Sequence, residues 1–558
     1  MSGATPMERT APVPVPSRAA RQLAATIAVA LLAACAGTRS ETKGPAVAAP
    51  VAPAPVAPAP LAPESVPAAS RAEKHAIEKP VGPPEPPATV DATFRQHRPE
   101  PTAARAAFEA PVPVERKLKN GARLLVVENH AVPLVSIEVL IGTGVDGEPE
   151  GKGGLASFTA HLLREGTRKR PSLKLAGELE DLAARLTTSA SLETSALRLN
   201  CLRETLPQAL DLLADVLQNP LFAKEDVERV RGLLLTELAQ KRASPAALAD
   251  DEVARRAWGE QHPWGQPSGG TSASLGSIAA ADLAKFHETF YRPNNAILSV
   301  AGDVTPAEIH KLLEARLAAW KPKPLPKLKL PAVPELGARS ITLVDKPGGT
   351  QSQIWLFTRG TPASGPDVVG LRVANAVLGG QFGSRLMQTL REAKGYTYGV
   401  RSRLTLLKEQ GLLLASGAYK ANVTAESLAE LVKEFEAFED GALREGELDR
   451  ARQSLSRAVP SALESVDAVA GSMALLAFHG LPLDDFRTLP DRVAKVDAAE
   501  VVRVAKKYFA AGGLQVVVVG PRALFEEKLR ALGLGVVVVP GDPTPPTPAP
   551  APPHVPAG

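Results

Sequence analysis

The chain has 558 residues, room for two or three domains, and 44% hydrophobic with 22% charged residues fits a folded protein with a real core. A net charge of +4 and an aromatic content of 4% argue against a nucleic-acid-binding surface. The 52 prolines gather at the two ends, so the folded part is expected between them.

In chain order, Arg18 and Arg21 precede an apolar run from Leu23 to Ala34, and Leu32-Ala33-Ala34-Cys35 closes it. A basic start, an apolar run too short to span a bilayer comfortably and small residues before the cut predict an export signal over 1–34. The Leu-Ala-Ala-Cys ending resembles a bacterial lipoprotein signal, which implies lipidation of Cys35. Ala36 after the cysteine, where Asp would retain the protein, points to the outer membrane of a Gram-negative cell and a periplasm-facing protein. An ordinary signal peptide ending near a cysteine is the alternative. Residues 35–107, dominated by Pro, Ala and Val, predict a disordered, semi-rigid tether, and 541–558, with eight prolines in eighteen residues, a similar tail. Cys201 lies in an alternating A-L-R-L-N-C-L stretch and reads as an inert core thiol rather than a disulfide partner.

Between these ends, strand-like and helix-like patterns alternate. Residues 124–127 and 134–141 read as strands, and 153–164, 206–217 and 225–242 as helices. One internal repeat stands out. Residues 277–302 (S-I-A-A-A-D-L-A-K-F-H-E-T-F-Y-R-P-N-N-A-I-L-S-V-A-G) align without a gap on 495–520 (K-V-D-A-A-E-V-V-R-V-A-K-K-Y-F-A-A-G-G-L-Q-V-V-V-V-G). Each reads as a closing helix, a turn and an apolar strand ending in Gly, so the chain is expected to hold two copies of one unit of about 200 residues. The expected domains are 108–320 and 338–540, joined by a Pro-, Lys- and Leu-rich linker at 321–337.

Residues 154–167 read G-L-A-S-F-T-A-H-L-L-R-E-G-T. Together with L-K-N-G-A-R-L-L-V-V-E-N (118–129), L-A-D-V-L-Q-N-P-L-F (213–222), H-P-W-G (262–265), F-Y-R-P-N-N-A (290–296) and L-G-G-Q-F-G-S-R-L-M-Q-T-L-R-E-A-K-G-Y-T-Y (378–398), this stretch resembles the pitrilysin/insulinase family of zinc peptidases. The resemblance is strongest to bacterial relatives of the mitochondrial processing peptidase. It covers about 114–532 and implies an α+β fold of two homologous domains, each a mostly antiparallel sheet with helices on one face, enclosing a chamber.

The resemblance also implies a helix bearing His-x-x-Glu-His, in which two imidazoles one turn apart hold zinc and the Glu activates water. Here Ser157 stands at the first His, Ala160 at the Glu, and His161 alone remains. The third ligand is matched by Glu237 in R-G-L-L-L-T-E-L. Serine is a weak neutral ligand and alanine accepts no proton, so His161 and Glu237 read as vestigial and no metal or other cofactor is expected on this chain. No two of the nine histidines are close enough to form another His-x-x-x-His face. The family's edge strand after this helix is matched by 183–191, which lacks its usual Gly and Asn, so substrate pairing there is in doubt.

The second domain keeps more. The family's Arg and Tyr, which hold the peptide carbonyl and stabilise the developing oxyanion, are matched by Arg391 and Tyr398, with Tyr396 a neighbouring alternative. Taken alone, Arg391 could form a surface ion pair and Tyr398 could belong to the core. The expected function is the non-metal subunit of a two-chain envelope peptidase, inactive alone, with zinc and the intact motif on a partner of the same family. A catalytically inactive peptide-binding or scaffold lipoprotein is the alternative, and an active zinc enzyme with an unusual site a third reading.

Overall fold

The computed structural model describes residues 108–267 and 269–540. The export signal, Cys35, the tether and the Pro-rich tail lie outside them. The first half contributes strands β1 (Val114–Lys117), β2 (Arg123–Glu128), β3 (Leu134–Ile141), β4 (Arg185–Ala190), β5 (Ser195–Leu202) and β6 (Ala296–Gly302). Its helices are α1 (Leu155–Leu162), α2 (Ser172–Asp181), α3 (Leu206–Gln218), α4 (Lys224–Ala243), α5 (Pro245–Trp258), α6 (Ser272–Ser277), α7 (Ala280–Phe290) and α8 (Pro306–Arg316). The second half contributes β7 (Ser340–Asp345), β8 (Gln351–Gly360), β9 (Thr397–Thr405), β10 (Gly411–Lys420), β11 (Gln515–Gly520) and β12 (Val536–Val538). Its helices are α9 (Val368–Leu378), α10 (Thr424–Glu439), α11 (Glu447–Ala462), α12 (Val466–Phe478), α13 (Asp485–Ala494), α14 (Ala498–Tyr508) and α15 (Glu526–Ala531).

Each half builds a six-stranded sheet, in the orders β1-β2-β6-β3-β5-β4 and β12-β7-β11-β8-β10-β9. Five strands run in the same order in both, β2-β6-β3-β5-β4 matching β7-β11-β8-β10-β9, while the sixth, edge strand is the first of its half in one sheet (β1) and the last in the other (β12). In this correspondence α7 and β6 match α14 and β11. The fold is α+β, and most strand pairs are antiparallel. The parallel pairs are β2–β6 in the first sheet and β7–β11 and β7–β12 in the second.

The two-residue period of the strands decides which face meets what. On the first sheet Leu124, Val126, Ile137, Val139, Leu298 and Val300 pack against helices of their own half. The alternate residues Leu125, Val127 and Ala301 join the core of the second half instead. Helix α12, from the second half, lies across β3 and β6, where its Ala474 and Phe478 bury against Leu140. The loan is returned: α5, from the first half, packs across β8 and β11, burying Ala249, Val253, Ala257 and Trp258 against Trp355, Phe357, Val517 and Val519. Helices therefore cover more than one face of each sheet, the second face being served by the opposite half. At roughly 2–3 kcal/mol for each large buried side chain, this exchange ties the halves into one cooperative body.

Cys201 is buried in β5 facing the first core, and burial pushes its thiol up to about 12, which makes it unreactive.

Candidate functional site

Helix α1 is the motif helix. It starts at Gly154, whose φ of 90° is left-handed, and a Cβ there would lie 2.7 Å from the carbonyl oxygen of Gly269. Leu155, Phe158 and Leu162 turn into the core, while Ser157 and His161, one turn apart, are half-buried on the opposite side. Ala160 is packed inward, at 1% exposure. Helix α1 packs on α4, the helix that carries Glu237, and on the edge strand β4. Arg231 of α4 anchors this contact. Its guanidinium lies 5.3 Å above the Phe158 ring and donates to the Ile278 carbonyl at 2.8 Å. Glu237 itself is exposed.

The residues present do not fit a zinc ion. Ser157 and Ala160 stand at a ligand and at the base, and no group of three or more His, Cys, Asp or Glu is arranged to hold a metal among the described residues.

The start of α1 carries a feature that the sequence reading missed. Glu148 is buried and accepts the backbone N–H groups of Gly154 (3.0 Å) and Ala156 (2.8 Å), capping the helix. Burial outweighs these two bonds and pushes its carboxyl up to about 8, and Asp146 beside it is pushed up to about 6 for the same reason. Because the cap lies six residues ahead of the helix, no N-cap pattern in the sequence marks it.

Strand β4, built from the stretch without the family's Gly and Asn, is nevertheless a regular edge strand, paired with β5 through Arg185–Ala190.

In the second half the structure brings Arg391 and Tyr398 together. Arg391 rides on a π-helix, Met387–Ala393, in which Lys394 donates five residues back to Thr389 at 3.0 Å. Tyr398 sits in a β-bulge. Thr397 pairs with Tyr419 and Gly399 with Ala418, which leaves Tyr398 without a partner in β10. The Thr397 hydroxyl holds the bulge, donating to the Ala418 carbonyl at 2.6 Å and accepting the Gly399 N–H at 3.0 Å. The Arg391 guanidinium lies 4.9 Å from the Tyr398 ring and 4.9 Å from the Phe382 ring, a cation held between two aromatics. Both rings face out, Tyr398 at 85% exposure and Phe382 at 64%. Tyr398 is therefore no core residue, whereas Tyr396 packs partly into the core. Arg391 also makes a surface ion pair with Glu392 at 3.3 Å. Phe382 is a member of this group that sequence reasoning passed over. Its only signal was an aromatic residue inside a glycine-rich turn.

The segment that carries Phe382 also holds a buried ion pair. Arg385, in the same turn, is 1% exposed, and its Nε and Nη2 donate to Glu447 at 2.8 and 2.6 Å, with the guanidinium 5.0 Å above Phe438.

With this geometry in view, comparison with known proteins places the chain. Residues 123–268 match the family model described as Insulinase (Peptidase family M16), and 277–455 that described as Peptidase M16 inactive domain. The chain belongs to the pitrilysin/insulinase family. Among family relatives, it is similar to an uncharacterized zinc protease, YmxG, of Bacillus subtilis, 26% identical over 390 residues (69% of this chain, 92% of that one). It is also similar to an uncharacterized zinc protease of Mycobacterium tuberculosis, Rv2782c, 29% identical over 359 residues (63% and 80%). A crystal structure of a peptidase M16 inactive domain from Pseudomonas fluorescens shares the fold with a TM-score of 0.69 and 24% identity, over 73% of this chain and 98% of that one. A protease from Helicobacter pylori shares it with a TM-score of 0.69 and 22% identity (74% and 100%).

Proposed function

We propose that this chain is the non-metal subunit of a two-chain zinc peptidase of the cell envelope, held there by a lipid on Cys35. In this reading a family partner with an intact His-x-x-Glu-His helix carries the zinc. The present chain presents Arg391 and Tyr398 to a peptide bound there. The observation that carries the reading is the exposed stack of Phe382, Arg391 and Tyr398, standing in a chain whose own ligand and base positions are Ser157 and Ala160. A guanidinium fixed between two rings offers several N–H donors in a set orientation, which suits a carbonyl oxygen that gains charge as the peptide bond is attacked. The relatives described as zinc proteases support the chemistry, and the match of 277–455 to a model described as inactive supports a supporting role for that domain.

The test is co-expression with a family chain that keeps the motif. The two chains are expected to co-purify and to cleave extended peptides, and Arg391→Ala is expected to slow cleavage about a hundredfold, the usual cost of removing one oxyanion donor. Failure to associate, or unchanged cleavage in Arg391→Ala, overturns the reading. A complex that binds peptide without turnover would establish the scaffold alternative.

A further inference from the structure

A small cavity in the first half, of about 260 Å3, is remote in sequence from the Arg391 stack and unrelated to the motif positions. Three cationic side chains line it: Arg168, Arg292 and Lys323. They come from three segments, and each segment is pinned. Arg168 follows the motif helix, where Thr167 bridges to Pro220 and the Arg168 N–H donates to the Asn219 carbonyl at 3.1 Å. Arg292 lies in the turn after α7, its N–H donating to the Phe290 carbonyl at 2.9 Å. Lys323 is held by Asn294, which donates to its carbonyl at 2.9 Å and accepts its N–H at 3.2 Å. Trp320, three residues earlier, donates its indole N–H to the Tyr291 carbonyl at 2.9 Å, fixing that segment against the same turn.

None of the three cations is ion-paired among the described residues. Three cations without an ionic partner on one cavity suit a ligand that accepts from them. The remaining charges set the sign of that ligand. His287, stacked on Tyr291 with ring centroids 4.8 Å apart, is neutral because burial pushes its imidazole down to about 4. Glu288 is the one carboxylate at the cavity, so three positive groups against one negative leave a net charge of two.

We propose that this cavity binds a phosphate dianion, either free or as a small monoester. Two guanidinium forks and an ammonium match three phosphate oxygens, and guanidinium geometry favours bidentate contact. The cavity is too small for a nucleotide, but Leu221 and Phe222 at its wall, exposed and half-buried, offer apolar surface to the organic part of a compact ester.

Calorimetric titration of the full chain with inorganic phosphate and with phenyl phosphate, at constant ionic strength, tests the site. Saturable binding at one per chain is expected below about 1 mM. Arg292→Gln should weaken it at least about tenfold, since it removes one of the three lining cations. Glu288→Gln should tighten it several-fold, an effect that loose ion condensation on a surface would not show. Should Arg292→Gln fail to fold, the exposed double variant Arg168→Gln/Lys323→Gln carries the test and is expected to lose most of the affinity. Tighter binding of phenyl phosphate marks an ester as the ligand, and equal binding marks free phosphate. No saturation by about 10 mM, unchanged affinity in the double variant, or no tightening in Glu288→Gln overturns the proposal.

Discussion

The two halves share the order of five strands and an exchange of helices, yet their chemistry-bearing positions have diverged in opposite ways. In the first half those positions lie on a regular helix. Ser157 sits on the half-buried outer face of α1 and Ala160 inside it, so both substitutions leave the packing of Phe158 and Leu162 undisturbed. In the second half the corresponding interest lies on irregular backbone, a π-helix under Arg391 and a bulge under Tyr398. Irregular backbone is costly and persists only where its surroundings over-determine it. A regular helix thus outlives the loss of its chemistry at no structural cost, whereas the stack survives only while it is actively supported. In the proposed function the first half is scaffold and the second is the half under functional demand.

The largest test of that contrast removes the support. Glu447→Ala leaves the Arg385 guanidinium buried without its ion-pair partner, in the turn that carries Phe382, and is expected to cost about 3–5 kcal/mol, read from chemical denaturation. A cost below about 1 kcal/mol would show that the irregular turn does not depend on that pair.

Next comes restoration of the first half. Helices α1 and α4 still pack together, with His161 and Glu237 on them, so Ser157→His supplies a third ligand. One zinc per chain is expected, with affinity at least about a hundredfold above the parent, measured by competition with a chelating dye. Peptidase activity should stay absent, because Ala160 accepts no proton from water. Should no zinc be taken up, the first half has lost the geometry as well as the side chains.

The cap of α1 gives a pH signature. Glu148 titrates near 8 in the folded chain against an ordinary 4.5, so between those values the folded state holds a proton that the unfolded chain releases. Stability therefore falls as pH rises from about 4.5 to about 8 and levels beyond, by an amount on the order of 2–3 kcal/mol after solvent relaxation is allowed for. Asp146, pushed up to about 6, adds to the lower part of the same slope. Glu148→Gln should flatten the upper part, seen in melting curves taken at pH 6 and pH 8. A slope as steep as the parent's would place the titration elsewhere.

How much of this was legible in the sequence follows from what each feature depends on. The strands at 124–127 and 134–141 and the helices at 206–217 and 225–242 showed themselves, because burial on one face imposes a period on the residues. The repeat at 277–302 and 495–520 gave the duplication for the same reason, and the quoted stretches gave Arg391 and Tyr398. The exchange of α5 and α12 left no mark, since a helix apolar toward its own half looks the same as one apolar toward its neighbour. The π-helix and the bulge were hidden too, because each adds a residue without altering composition. Glu148 is a buried polar group whose partners exist only in three dimensions.

The smallest test returns to glycine. Gly154 keeps a left-handed start for α1, where a side chain would strike Gly269. At the end of α2, Ala183 opens the stretch that lacks the Gly implied by the family resemblance and is held at φ 47°, a conformation costly for a residue with a Cβ. The backbone pattern around it is a complete helix stop: the Ala183 N–H donates to Glu180 at 2.9 Å and the Ala184 N–H to Leu179 at 2.9 Å. Those two bonds, and the pairing of β4 that follows, hold the alanine in place. Ala183→Gly relieves the steric cost but gives the unfolded chain more freedom, so the expected net gain is only about 0.5–1 kcal/mol. A loss of stability on that change would show that the turn into β4 has re-formed around alanine, and that the edge strand of the first half has been rebuilt rather than merely left behind.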